Sequence, residues 1–178
     1  FQLLQFFAEK NFTWNEITQS NRNPMLGKGY GADGLKTGHT EEAGYGLVGS
    51  AQRGNRRVTF VISGLESVKQ RTMESEKIVN WAYRDFQAKK ILKKNQVIGE
   101  IPVWLGAKKF VSLAAKNDVF VLVPVSKSGS IKTSIFYDKP IQAPFPSGAP
   151  SPAKLKVHYK SETKSFSQEY ELVATEGS

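Results

Sequence analysis

The distribution of hydrophobic residues in the first third of the chain predicts a short helix, a loop and a β-hairpin. Residues 1–10 carry three large apolar side chains at helical spacing: Leu3, Phe6 and Phe7. A loop rich in Asn, Pro and Gly follows over residues 21–34. Two apolar runs then flank the turn residues Arg-Gly-Asn at 53–55, and the second run alternates apolar and polar positions, so we expect an antiparallel hairpin here.

The clearest helical pattern lies between residues 67 and 92. Ile78, either Trp81 or Ala82, and Phe86 recur at intervals of three or four residues and would share one face. Ser67 and Gln70 stand three residues apart at the start, which is the spacing of a capping box, where two side chains satisfy free backbone N–H groups. The spacing therefore predicts one long helix over 67–92.

Beyond Lys94 the apolar pattern changes to a period of two. Short runs divided by turn residues predict strands at 100–106, 110–115, 118–125, 133–140, 154–160 and 165–174, with a Pro-rich loop at 143–152. Leu155, Val157 and Tyr159 alternate with Lys156, His158 and Lys160, as expected for a sheet with one solvated face. We therefore predict an α+β protein with a mixed domain at 1–92 and an all-β sandwich at 93–178.

Composition narrows the classes of function. The chain has 178 residues, of which 39% are hydrophobic, and it contains no cysteine, so disulfides and thiolate metal sites are excluded. Its net charge of +9 favours anionic partners. The lysines are scattered, however, and the one cluster, at 89–94, lies at the end of the predicted helix, where cations face the negative end of the helix dipole. We interpret the charge as a solvated surface and expect no nucleic-acid binding.

Glycines crowd residues 29–46, and two phosphate-binding interpretations of them fail. Gly29, Gly31 and Gly34 match the dinucleotide fingerprint, but that motif requires a strand before it and a helix after it. The preceding segment is polar, and further glycines downstream would break a helix. As a phosphate loop, the segment has Leu35 where a lysine is required, and Lys36 comes one residue late.

The third interpretation is that Lys36, Thr37 and Gly38 form the Lys-Thr-Gly triplet of penicillin-recognising serine enzymes. On an edge strand lining a cleft, Lys36 would supply a fixed positive charge near the nucleophile, and Thr37 a hydroxyl for the substrate carboxylate. Gly38 would let the substrate backbone approach closely. The backbone N–H of His39 would point at the developing oxyanion. The alternative on the triplet alone is an ordinary turn before a hairpin.

The sequence around the triplet resembles the low-molecular-mass penicillin-binding proteins, specifically the D-alanyl-D-alanine carboxypeptidases. The similarity is densest over residues 33–82 and extends upstream and into the β-rich part of the chain. It implies the last part of a penicillin-binding, β-lactamase-like transpeptidase domain, built of a helix, a hairpin and a long helix, followed by a β-sandwich. It also implies that Arg71 helps to hold the terminal carboxylate of a D-Ala-D-Ala stem peptide, a task that suits the bidentate guanidinium.

The chain departs from the family pattern in its nucleophile. The family requires a Ser-x-x-Lys and a Ser-x-Asn motif upstream of the triplet, and neither precedes Lys36. A Ser-x-x-Lys at 161–164 falls in a predicted turn of the β domain, where no helix could project both side chains into a cleft. Without an activated nucleophile no acyl-enzyme can form, so we expect this chain alone to be inactive.

Further expectations concern partners and location. The resemblance implies a periplasmic parent enzyme that binds stem peptides and β-lactams, and that contacts the membrane only through a C-terminal helix absent here. Residue 1 is Phe and no signal peptide opens the chain, so we interpret it as a processed product. His39 and His158 lie in different predicted domains, and Glu41 and Glu42 diverge in a turn, so we expect no metal or cofactor. The alternative function is a non-catalytic basic module that docks on an anionic surface or partner protein.

Overall fold

The computed structural model describes residues 3–125, 129–137, 139–162 and 165–177. The chain divides into two compact units, Phe1–Phe86 and Gln87–Ser178. The boundary predicted after residue 92 falls inside the second of these units.

The first unit opens with less helix than the apolar pattern predicts. Helix α1 covers only Leu4–Phe7, and a hairpin of strands β1 (Asn11–Trp14) and β2 (Ile17–Ser20) follows. Asn15 and Glu16 at its turn both have positive φ angles, 48° and 65°, which suits the right-handed twist of a two-residue hairpin. The prediction of a helix over the whole of 1–10 was therefore wrong, because the chain turns back on itself within a few residues.

The remainder of the first unit is a three-stranded antiparallel sheet covered by a long helix. The strands are β3 (Ala32–Thr40), β4 (Gly44–Arg53) and β5 (Arg56–Leu65), in that order across the sheet, and the helix is α2 (Val68–Asp85). The predicted hairpin is confirmed as β4–β5. A small core lies between sheet and helix, formed by Met25, Leu47, Ala51 and Val79.

Helix α2 ends at Asp85, so the predicted helix over 67–92 is seven residues too long. The end is fixed by Arg56 of β5, whose guanidinium donates 2.7 Å hydrogen bonds to the carbonyl oxygens of Ala82 and Phe86. Phe86 is already extended, and strand β6 (Phe86–Leu92) begins there. The lysines at 89–94 therefore do not lie at a helix end, and the dipole explanation for them was wrong.

The start and the buried face of α2 largely follow the prediction. The Ser67 hydroxyl accepts a hydrogen bond from the Gln70 N–H at 3.1 Å, while the Gln70 side chain accepts one from the N–H of Glu66 instead of that of Ser67. Ala82 is buried and Trp81 is exposed, which settles the alternative left open by the spacing. No helix within the described ranges is long and apolar enough to cross a membrane.

The second unit is a β-sandwich, as predicted. Its strands after β6 are β7 (Val97–Trp104), β8 (Phe110–Ala115), β9 (Val119–Pro124), β10 (Ser130–Phe136), β11 (Ile141–Gln142), β12 (Pro150–Lys160) and β13 (Ser165–Ala174). A six-stranded sheet has the order β10-β12-β13-β8-β7-β11, and β6 pairs with β9. Leu155, Val157 and Tyr159 are buried in the core, and His158 and Lys160 are exposed, so the predicted alternation is confirmed.

Candidate functional site

The Lys-Thr-Gly triplet lies in an extended edge strand. Lys36, Thr37 and Gly38 occupy the middle of β3, which pairs with β4 on one side only in the described part of the sheet. Lys36 and Gly38 are exposed, and Thr37 is half-buried. The Lys36 ammonium donates a 2.6 Å hydrogen bond to the carbonyl oxygen of Thr37, so its charge is held close to the strand. The prediction of an edge strand is confirmed, and the alternative of a simple turn is excluded.

Gly38 differs from every other glycine of the chain. A Cβ placed on it would meet no atom within 4 Å, and its φ angle lies outside the left-handed region. Each of the other fourteen glycines has either a positive φ or a neighbour within 3.4 Å of such a Cβ. Neither backbone conformation nor packing within the described residues therefore requires glycine at position 38.

Tyr45 connects the edge strand with the start of the long helix. It lies opposite His39 in the β3–β4 register, and the two ring centroids are 3.9 Å apart with planes inclined by 30°. On its other side, the guanidinium carbon of Arg71 lies 5.7 Å from the centre of the Tyr45 ring. Tyr45, which sequence analysis missed, therefore lies next to both His39 and Arg71, two of the residues predicted for the site. No motif marks Tyr45 in the sequence, and its position opposite His39 follows only from the pairing of β3 with β4.

Arg71 is a buried cation with incomplete hydrogen bonding. Its residue is only 5% exposed. One Nη donates a long 3.4 Å hydrogen bond to the carbonyl oxygen of Arg22, and Nε has no partner among the described residues. Burial lowers the pKa of the Arg71 guanidinium below its ordinary value, and the nearby Tyr45 partly offsets this. An unpaired donor on a buried charge is costly, so Arg71 lowers the stability of the fold at this position.

The start of α2 adds to the positive potential around Arg71. The first turn of the helix contains no acidic residue, although carboxylates are favoured there because they neutralise the positive end of the helix dipole. Arg71 itself is placed one turn from this end.

The other candidate residues do not form a site. Glu41 and Glu42 are exposed beside the β3–β4 turn, and His158 lies on β12 in the other unit. No group of His, Cys, Asp and Glu suited to a metal ion occurs in the described ranges. The Ser-x-x-Lys at 161–164 ends outside the described residues. A further one, at 151–154, was missed by sequence analysis and lies on β12. It forms no Ser–Lys pair: the Ser151 hydroxyl accepts a hydrogen bond from the Ala153 N–H, and Lys154 faces Glu169 at 3.6 Å.

Comparison with known proteins places the chain in a family. The model of the D-alanyl-D-alanine carboxypeptidase family matches residues 1–67, and that of the penicillin-binding protein 5 C-terminal domain matches residues 86–176. The chain therefore belongs to the D-alanyl-D-alanine carboxypeptidase family of penicillin-binding proteins. This confirms the resemblance inferred from the sequence.

Individual relatives agree with this assignment. D-alanyl-D-alanine carboxypeptidase DacA of Haemophilus influenzae is 40% identical over 147 residues, covering 81% of this chain and 37% of the relative. DacD of Escherichia coli K12 is 36% identical over 145 residues, which cover 80% of this chain and 37% of the relative. The crystal structure of penicillin binding protein 5 from Haemophilus influenzae matches 98% of this chain and 50% of its own, with a TM-score of 0.75 and 36% identity. The chain spans little more than a third of the length of these curated relatives.

Proposed function

We propose that this chain is part of a serine-type D-Ala-D-Ala carboxypeptidase and supplies one wall of its substrate site. The enzyme would remove the terminal D-Ala of peptidoglycan stem peptides through an acyl-enzyme intermediate. The single observation that carries the proposal is the open space at Gly38, which lies between Thr37 and His39 on an exposed edge strand. A substrate strand can approach the backbone closely only where no side chain intervenes.

Each residue of the wall has a role that its position supports. The Lys36 ammonium would stabilise negative charge near the nucleophile, and the Thr37 hydroxyl would bind the substrate carboxylate. The His39 N–H would donate to the oxyanion of the tetrahedral intermediate, a contact worth about 3 kcal/mol in comparable enzymes. Its backbone position is steadied by the stacking of the His39 ring on Tyr45.

Arg71 would bind the terminal carboxylate of the peptide. Its incomplete hydrogen bonding and the absence of acidic side chains from the first turn of α2 both support this role. A carboxylate would offset the cost of burying the guanidinium charge. The terminal D-Ala would thereby be selected by its free carboxylate, which defines a carboxypeptidase in contrast to an endopeptidase.

The attacking serine is not supplied by this chain. No Ser-x-x-Lys precedes Lys36, and the described residues around the triplet include no candidate Ser–Lys pair. We therefore propose that the nucleophile belongs to the part of the relatives that this chain does not match, and that the 178-residue chain is inactive alone. The parent enzyme would act in the periplasm, where its peptidoglycan substrate lies.

Labelling with a fluorescent penicillin tests the proposal. The 178-residue chain and a version extended upstream to include a Ser-x-x-Lys would be compared, together with Lys36→Ala and Thr37→Val in the longer chain. We expect label only on the longer chain, and a reduction of about tenfold or more for both variants. Lys28→Ala, which removes an exposed lysine paired with Glu76, is the matched control and should label normally. If neither the 178-residue chain nor the extended chain is labelled, the result would favour the non-catalytic binding module instead.

A further inference from the structure

One end of the six-stranded sheet carries a group of exposed apolar side chains. Strand β7 ends and β8 begins here, and we call the connecting segment, residues 104–110, the tip. Trp104, Leu105 and Phe110 are 62%, 73% and 54% exposed. The register places the ends of β10 and β13 and the start of β12 at the same end of the sheet. The other large apolar side chains exposed at this end are Phe136 and Tyr137.

The backbone of the tip holds Leu105 outward. Leu105 has a φ angle of 59°, in the left-handed region that leucine rarely adopts and that costs roughly 1–2 kcal/mol. The turn is closed by a 2.9 Å hydrogen bond from the N–H of Val103 to the carbonyl oxygen of Lys109. Gly106 packs against Val103, since a Cβ on it would come within 2.8 Å of a Val103 methyl carbon. The exposure of Leu105 is therefore a property of a defined turn.

Two lysines, Lys108 and Lys109, immediately precede Phe110 in the tip. Lys108 pairs with Glu176, while Lys109 has no ion-pair partner in the described ranges. The charge of the whole second unit has the same sign: residues 87–178 contain fourteen lysines, no arginine and seven acidic residues. The unit thus accounts for seven of the nine net positive charges of the chain. The tip therefore combines exposed apolar side chains with two lysines, on a unit whose net charge is positive.

We propose that the tip of the second unit docks on a lipid bilayer that carries anionic headgroups. Indole rings favour the boundary between headgroups and acyl chains, and lysines extend their ammonium groups to the phosphates while their methylene stems cover apolar surface. Each lysine near an anionic leaflet adds about 1 kcal/mol of attraction. This surface goes beyond the proposed peptidase function and does not depend on it.

A lipid surface fits the tip better than a protein or a nucleic acid. The tip is a convex turn with three apolar side chains, whereas stable protein interfaces bury roughly 800 Å² on each partner and are enriched in arginine. Nucleic-acid surfaces also favour the guanidinium, because it binds phosphates and bases through two hydrogen bonds. The second unit has no arginine at all. A bilayer needs neither a large complementary area nor bidentate hydrogen bonds.

Co-sedimentation of the whole chain with vesicles tests the proposal. Vesicles of phosphatidylglycerol and phosphatidylethanolamine would be compared with neutral phosphatidylcholine, using the parent chain and the double variant Trp104→Ser/Leu105→Ser. The matched control is Val97→Ser/Leu122→Ser, which removes two exposed apolar side chains of the same unit that lie outside the tip. We expect the tip variant to bind anionic vesicles about tenfold more weakly, and the control to bind like the parent. Circular dichroism and thermal melts would verify that each variant is folded.

Fluorescence identifies which residue enters the bilayer. Trp104 is the sole tryptophan of residues 87–178, so a chain with Trp14→Phe and Trp81→Phe reports on the tip alone. We expect quenching of Trp104 by lipids brominated in the acyl chain. The proposal is overturned if the tip variant binds as well as the parent, if Trp104 is not quenched, or if binding ignores anionic lipid. The proposal is also overturned if the chain self-associates through Trp104 but does not bind vesicles, because the tip would then be a protein-binding surface.

Discussion

Replacing Arg71 by methionine separates a binding role from a structural role. Methionine fills a similar space without a charge. The substitution removes a buried Nε–H that has no partner among the described residues, which costs about 1–3 kcal/mol in the folded state. It also removes a 3.4 Å hydrogen bond worth at most about 1 kcal/mol and a ring contact worth about 0.5–1 kcal/mol. We therefore expect the free energy of unfolding to stay unchanged or to rise by about 1 kcal/mol.

The same substitution at Arg56, Arg56→Met, should have the opposite effect and lower the free energy of unfolding. Both Nη atoms of Arg56 donate 2.7 Å hydrogen bonds to carbonyl groups at the end of α2, where the helix dipole is negative. Loss of these charged hydrogen bonds should destabilise the chain by roughly 2–3 kcal/mol. Urea denaturation with linear extrapolation measures both changes, and the slope should stay constant. If Arg71→Met destabilises as much as Arg56→Met, Arg71 is a structural residue and the reasoning about its unpaired donor fails.

Four further predictions concern single positions. Gly38→Val should leave the thermal midpoint unchanged, because no atom lies within 4 Å of the new Cβ, but should reduce penicillin labelling of the upstream-extended chain at least tenfold. Gly49→Ala should instead lower the midpoint by several degrees, since its Cβ would overlap the Phe60 ring; equal midpoints for the two variants would contradict the packing described. Ser67→Ala should cost about 1 kcal/mol in urea denaturation through loss of the α2 cap, and no loss would show the cap to be dispensable. The Lys90 ammonium, with the Lys94 N–H, lowers the pKa of Asp118 below 3.8, so this carboxylate stabilises the fold above pH 3.8 and less as pH falls through the lowered pKa. The stability difference between the parent and Asp118→Asn should therefore shrink below pH 3.8, and a difference that is constant with pH would contradict this.

The chain's hydrophobic pattern predicts elements better than it predicts their ends. The hairpin β4–β5 and strands β8 and β13 follow directly from alternation between turn residues. The end of α2 does not, because it is set by Arg56, which is distant in sequence and becomes a neighbour only after the sheet forms. The β1–β2 hairpin was missed for another reason: Asn-Glu is an uncommon pair for two positive φ angles.

The residues of the candidate site could also be predicted only in part from the sequence. The Lys-Thr-Gly triplet can be found from sequence because its three residues are adjacent, and the family resemblance adds Arg71. Tyr45 carries no motif, and its importance follows only from the pairing of β3 with β4. The unpaired Nε of Arg71 also cannot be inferred from a sequence, since it depends on which polar atoms the fold leaves nearby.

The central claim, that the edge strand and Arg71 together grip a peptide's free carboxylate, is tested most directly by substrate discrimination. The upstream-extended chain would be given an acylated D-Ala-D-Ala peptide and the same peptide with a C-terminal amide, and kcat/KM would be measured for both. We predict strong preference for the free acid in the parent chain and near-equal rates in Arg71→Met, with the loss confined to the free acid. An unchanged preference in Arg71→Met, or equal rates for both peptides in the parent chain, would contradict the account.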